Sequence, residues 1–218
     1  MFVGPARYAH VELVDSSALS SVKVIDRMVF ELGYYGKGIY VPAKHGIRLF
    51  VPAEKDSQSI PGVESMADAV FVSQPKGLVI QPPGLDLAKF LREQLEKPNE
   101  PMTLEKLQER LPRLLTHRLE IMEDFEMKVD GTKIHTKSTG SLYADFCNDI
   151  RLTTRVCSAF GCPMCSAIAC LIVDATGDPV VLEEDESTPD GYISETTFRF
   201  IPPASATENV LNTTSATS

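Results

Sequence analysis

The chain has 218 residues, 43% of them hydrophobic and 23% charged, which supports a folded core in one large domain or two small ones. A formal net charge of -9 with no basic run argues against a nucleic-acid-binding protein and against binding to an anionic membrane. No apolar run approaches the ~18 residues of a membrane span and no signal-peptide pattern opens the chain, so we expect a cytoplasmic protein whose partner is another protein or a small molecule.

Residues 1–98 are predicted to form an N-terminal α+β region. The His45-Gly46 pair lies between two β-rich runs, an arrangement typical of a hairpin. Proline occurs mainly in edge strands, so Pro42 and Pro52 place this hairpin at a sheet edge. The predicted elements are a helix over about 16–32, a hairpin over 38–52, a second hairpin over 69–81 and a helix over 85–96.

Residues 102–203 are predicted to form a second α+β module, after a proline-rich break. A short helix that begins after Thr103 should end before Pro112. The order strand, strand, helix, helix, strand, strand favours a mostly antiparallel sheet with helices on one face, a two-layer ββααββ module. Its elements are strands over 123–129 and 132–137, helices starting at Ser141 and Pro163, and strands over 179–184 and 192–201, with a possible short strand over 152–156. Residues 204–218 have the composition of a disordered tail.

The most informative stretch holds four of the five cysteines, between Cys157 and Cys170. Clustered thiols in a cytosolic protein favour a metal site, a redox motif or plain core residues over a disulfide framework. Cys162 and Cys165 form a CxxC motif at the predicted start of a helix. Free backbone N–H groups and the helix dipole stabilise a thiolate there, and a thiolate is both a nucleophile and a metal ligand.

The first hypothesis is a metal centre in an accessory or regulatory protein. Its predicted ligands are Cys157, Cys162, Cys165 and Cys147, and it would hold zinc or a [4Fe–4S] cluster, each of which accepts four thiolates. Cys170 is five helical residues beyond Cys165, which corresponds to ~140° of rotation and ~7.5 Å of rise. We therefore expect Cys170 to point away from the site.

Two alternatives remain open from the sequence, which does not decide whether the protein is an enzyme. One is a thiol-disulfide oxidoreductase with Cys162 as the nucleophile and Cys165 as the resolving thiol. The other is a binding module whose cysteines are buried structural residues, since cysteine packs as a small hydrophobe. Outside the cluster, His135 is a weaker candidate ligand, and the acidic run Glu183–Glu186 is predicted to be a solvated strand end.

Overall fold

The protein is described here by a computed structural model, which covers residues 11–66, 69–95 and 100–201. The predicted tail over 204–218 lies outside the described residues. One eight-stranded sheet with helices packed on it forms the fold. The predicted α+β class with a mostly antiparallel sheet is therefore confirmed.

The N-terminal region contains the predicted elements, all close to their expected bounds except that the first helix already begins at Val11, before its predicted start near residue 16. Both predicted hairpins are present, and the first turns at Gly46, whose positive φ of 95° suits glycine. The elements are α1 (Val11–Glu31), β1 (Ile39–Ala43), β2 (Gly46–Pro52), a 3-10 turn (Val63–Met66), β3 (Phe71–Ser73), β4 (Lys76–Ile80) and α2 (Leu85–Leu95).

The C-terminal region has three helices between its two strand pairs, where the sequence predicted two. The possible strand over 152–156 is wrong, because this stretch is the end of one helix and the start of another. The elements are α3 (Leu104–Arg113), a π-helical turn (Leu114–Arg118), β5 (Asp124–Asp130), β6 (Lys133–Thr139), α4 (Ala144–Thr153), α5 (Val156–Ala159), α6 (Pro163–Thr176), β7 (Val180–Ser187) and β8 (Ile193–Phe200).

Helix α3 is longer than predicted, since it runs through Pro112 instead of ending before it. The Thr103 side chain caps its first turn, as expected, by accepting a hydrogen bond from the Lys106 amide at 3.4 Å. Proline has no backbone N–H to donate within a helix, and the chain continues after it as a π-helical turn, a rare helical form.

The strand order of the sheet is β3-β4-β2-β1-β7-β8-β6-β5, and every neighbouring pair is antiparallel. The two predicted regions contribute four strands each and meet at β1 and β7, where only Ile39 with Val181 and Tyr40 with Val180 are paired. The prediction that the β1–β2 hairpin lies at an edge is wrong. Pro42 is tolerated in this central strand because the pairing with β7 has already ended at Tyr40.

The main core lies between the helices and one face of the sheet. Its most buried side chains, each at most 1% exposed, include Leu49, Leu91, Leu107, Ile134, Ile150 and Phe198. A smaller cluster around Phe50 and Met66 covers the other face of the N-terminal half. The helices thus share one face of the sheet, as the sequence predicted.

Helix α6 is the central helix of this core, and it ends at Gly177 with a left-handed φ of 75°. Contrary to the sequence-based expectation, the stretch Val156–Thr176 has the length and apolar character of a membrane span. In the structure, however, 83% of the most apolar 18-residue part of this stretch is buried inside the protein. That burial is typical of a core helix, which packs against protein instead of lipid.

Candidate functional site

Three consecutive helices bring the predicted cysteines together. Cys147 lies on α4, Cys157 on α5, Cys162 at the residue that caps the N-terminus of α6, and Cys165 in the first turn of α6. Between α5 and α6 the chain reverses at Gly161, whose φ is 86°. A side chain there would be strained and would lie 3.0–3.1 Å from neighbouring carbon atoms, so this turn requires glycine.

The turn that carries Cys162 is attached to the other half of the sheet by two hydrogen bonds. The Gly38 amide donates to the Ala159 carbonyl at 2.8 Å, and the Tyr40 hydroxyl donates to the Phe160 carbonyl. Tyr40 is fully buried, and this burial raises the pKa of its phenol well above the usual value. Strand β1 therefore fixes the position of the cysteine turn.

Cys162 is the centre of the thiol cluster. The Sγ atoms of Cys147 and Cys162 are 3.5 Å apart, and Cys165 borders the same small cavity as these two. Cys157 is close enough to Cys162 for each thiol to shift the pKa of the other. Cys162 and Cys157 are buried, whereas Cys147 and Cys165 are half-buried. The structure therefore brings together all four cysteines that the sequence proposed as ligands.

This arrangement favours one thiolate among several thiols. Hydrogen bonds from Cys147, Cys157 and Cys165 lower the pKa of Cys162 well below that of an ordinary thiol. The same bonds, with burial, raise the pKa of the three donors. Of the four thiols, Cys162 is therefore the one that loses its proton first, and a further negative charge requires a positive partner.

Cys170 lies outside the cluster, as the helical rotation predicted. It is 1% exposed and lines a separate apolar pocket together with Leu85 and Ala88 of α2. Burial alone raises the pKa of the Cys170 thiol to about 12. This cysteine is a core residue with no polar role among the described contacts.

A buried ion pair borders the thiol cluster and was missed by the sequence analysis. The Asp185 carboxylate lies 3.0 Å from an Nη of Arg151 and accepts a hydrogen bond from the Thr196 hydroxyl at 3.2 Å. That hydroxyl is 3.7 Å from the Cys165 Sγ. The Asp185 side chain is only 3% exposed, and burial raises its pKa to about 6.

A bulge in β7 explains why the Asp185 side chain points into the protein interior. The pairing with β8 shifts register between Leu182 and Glu184, so that Asp185 lies opposite the buried Thr196. In a regular strand Leu182 and Glu184 would point inwards, and Asp185 would face solvent. The predicted solvated strand end is thus wrong for Asp185, and no sequence pattern signals this bulge.

The space beside the cluster is small. A cavity of about 40 Å³ is bordered by Cys147, Cys162, Cys165, Asp185 and Thr196. Across the described ranges, no three or more His, Cys, Asp or Glu side chains are already arranged around a common metal position. The Cys147 and Cys162 sulfurs are in direct contact instead of lying around an open centre.

The weaker candidate ligand does not join the cluster. His135 is exposed on the opposite face of the sheet, where its Nδ1 lies 3.1 Å from the Thr197 hydroxyl. Its neighbours in β6, Ile134 and Thr136, point towards the core. The alternation of a β-strand therefore separates His135 from the cysteines.

Comparison with known proteins gives a family for the chain and no further relative. No curated protein and no solved structure matches the sequence. The matching family covers residues 1–198, which include both halves of the sheet and all five cysteines. On that match, the chain belongs to the family described as Domain of unknown function (DUF7982).

Proposed function

We propose that this protein is an accessory or regulatory protein that binds one metal ion through Cys147, Cys157, Cys162 and Cys165. The observation that carries the proposal is the meeting of four thiols from three helices at Cys162, with the Cys147 and Cys162 sulfurs 3.5 Å apart. Four thiolates are a common ligand set for structural zinc. A divalent cation also supplies the positive charge that a second and a third thiolate would need.

The spacing of the sulfurs favours a single ion over an iron–sulfur cluster. Zinc–sulfur bonds of ~2.3 Å in a tetrahedron place the sulfurs about 3.8 Å apart, close to the observed pair. A [4Fe–4S] cluster inserts four iron and four sulfide atoms between its cysteines. The 40 Å³ cavity and the direct contact between the Cys147 and Cys162 sulfurs favour the smaller group.

The closed surroundings of the site support a role without catalysis. Cys162 is 2% exposed, and the adjoining cavity is too small for an organic substrate. Structural zinc sites are closed in this way, whereas catalytic zinc keeps a coordination position open. We expect the ion to join α4, α5 and α6, in a protein that works in a reducing compartment such as the cytoplasm.

Metal analysis of the full chain tests this proposal. The protein is purified without oxygen, and its zinc and iron contents are measured by mass spectrometry beside its reactive thiols. We expect about one zinc per chain, a Cys162→Ser variant that has lost the metal, and a Cys170→Ala control that keeps it. A protein that neither contains zinc nor takes it up contradicts the proposal, as does a metal-free Cys170→Ala variant.

Thiol-disulfide exchange is the second candidate, favoured by the low pKa of Cys162 and the nearness of Cys147. Oxidised glutathione would accept two electrons and two protons from a pair of these thiols, giving one protein disulfide and two glutathione thiols. A titration in glutathione buffers of known ratio measures this exchange. Burial of Cys162 opposes it, so we expect the zinc-loaded protein to show none.

A further inference from the structure

A second and larger cavity lies at the junction of the two halves of the sheet. It has a volume of about 750 Å³ and opens to solvent. It lies beside the point where the chain leaves its pairing with β7, since before β1 the Gly38 amide donates to the Ala159 carbonyl. Its walls come from the end of α1, the loop after β2, helix α5 and strands β7 and β8.

This junction cleft is cationic, although the whole chain is acidic. Its lining contains four cations, Lys37, Lys55, Arg155 and Arg199, against two carboxylates, Asp56 and Glu183. Glu183 is already neutralised, because Arg199 Nε lies 2.9 Å and Lys133 Nζ 2.7 Å from its oxygens. Positive charge is therefore in excess in the lining of the cleft.

Arg155 is the cation best placed to hold a ligand. Its guanidinium lies over the Phe30 ring at 3.7 Å from the centroid, and its backbone amide donates to the Asp26 carboxylate at 2.7 Å. Within the ranges the structure describes, no carboxylate pairs with this guanidinium or with the Lys55 ammonium. The stacked arginine is fixed in place while its N–H donors stay available.

The rest of the lining suits an apolar group. Ile39, Val181 and Ile201 belong to the lining but are each at most 5% exposed, so the Tyr35 ring, which is 54% exposed, offers the larger apolar surface. Hydroxyls of Ser57 and Ser158 lie in the same lining. Pockets that combine an apolar surface with a few placed polar groups are typical of small-molecule sites.

We infer that the junction cleft binds a small organic anion, a carboxylate or a phosphate monoester with an apolar or aromatic body, through Arg155 and Lys55. The anionic group pairs with the guanidinium and the ammonium, and the body lies against the Tyr35 ring. This inference does not depend on the thiol cluster. It assigns the protein a ligand site whose lining contains no cysteine.

Binding is tested with phenyl phosphate and benzoate as probes and benzyl alcohol as a neutral control of similar shape. Backbone amide shifts of the 15N-labelled full chain are followed by NMR as each probe is added. We expect shifts centred on residues 155–159 and 55–58, with an anion bound about tenfold or more tightly than the alcohol. Tighter binding of phenyl phosphate identifies a phosphate ligand, and tighter binding of benzoate identifies a carboxylate.

Matched variants assign the contact. Arg155→Gln should weaken anion binding about tenfold, whereas Arg113→Gln, an exposed arginine on α3 outside the cleft, should leave it unchanged. If Arg155→Gln does not fold, Lys55→Gln on its exposed loop gives the same comparison. Equal affinity for the alcohol and both anions, shifts centred elsewhere, or full affinity in the folded cleft variant would overturn the inference.

Discussion

The hydroxyl of Tyr40 donates a hydrogen bond to the backbone carbonyl of Phe160, two residues before Cys162. One partner belongs to the N-terminal half of the sheet and the other to the turn that carries the thiol cluster. Both residues are fully buried, so no water replaces this bond. The two halves of the protein are therefore coupled at the candidate site, although β1 and β7 share only two residue pairs.

Removal of this hydroxyl should destabilise the protein, because it breaks a buried hydrogen bond. Tyr40→Phe keeps the ring but leaves the Phe160 carbonyl without its donor, and we expect a loss of about 1–3 kcal/mol in the free energy of unfolding. Urea unfolding measures it. Tyr35→Phe is the matched control, because Tyr35 is 54% exposed and should change little. Equal stability of the two variants would show that the bond is unimportant.

A glycine contact provides a second test of how α6 is positioned. The Gly84 amide donates to the Ser166 hydroxyl at 2.9 Å, and a Cβ at this position would lie 2.2 Å from the Ala167 nitrogen and the Pro163 oxygen. Both are backbone atoms at the start of α6, so they cannot move aside cheaply. We expect Gly84→Ala to cost about 1–3 kcal/mol or more, measured by urea unfolding.

Gly62→Ala is the control for that substitution, since the nearest atom to its added Cβ is a side-chain oxygen at 4.0 Å. It should leave stability nearly unchanged or raise it slightly. If Gly84→Ala is as stable as Gly62→Ala, α2 and α6 do not pack as closely as the structure describes.

Metal removal should separate the roles of the cysteines. A structural ion binds the folded state only, so its binding free energy adds to the free energy of unfolding. We expect a chelator to lower the melting temperature of the parent and of Cys170→Ala, and to leave that of Cys162→Ser unchanged. Thermal unfolding by circular dichroism, with and without chelator, is the measurement. If the chelator does not change the melting temperature of the parent protein, the hypothesis of a structural ion is contradicted.

Much of the fold was predictable because local signals agree with the tertiary structure. Gly46 and Gly131 mark hairpin turns, and Pro163 and Gly177 bound helix α6. The meeting of the cysteines follows from those elements. The central position of the first hairpin in the sheet was not predictable. Pro42 is acceptable in a central strand only because the pairing of β1 with β7 ends before it, and where that pairing ends depends on how the two halves of the sheet meet.

The buried ion pair was unpredictable for a different reason. Asp185 stands in an acidic run that alternation assigns to solvent, and one bulged residue reverses its orientation. The cationic junction cleft likewise collects Lys55 and Arg155 from positions a hundred residues apart in the chain. Neither feature has a local pattern, since both arise from contacts between distant strands and helices.

The Asp185 carboxyl gives the last prediction, a dependence on pH. Its folded-state pKa of about 6 lies above the reference value of 3.8, so the folded protein holds this proton more tightly than the unfolded chain does. The stabilising contribution is complete below about pH 3.8 and declines as pH rises to about 6. Above that pH, burial of the charged group costs about 3 kcal/mol relative to acidic conditions.

Asp185→Asn removes this titration while its amide oxygen still accepts from Thr196 and Arg151. Relative to the parent, the variant should therefore gain about 2–3 kcal/mol in stability between pH 4 and pH 7, measured by urea unfolding at constant metal occupancy. Carboxylates with lowered pKa values, such as Glu183, are common to both proteins and cancel in the difference.

Carbon-13 NMR of the parent adds a direct measurement, in which the Asp185 carboxyl titrates near pH 6. The exposed Asp190 should titrate below its usual value, because the Thr188 hydroxyl donates to it and lowers its pKa. Similar midpoints for the two carboxyls would show that Asp185 is in contact with water, and that the bulge does not place it beside the cysteines.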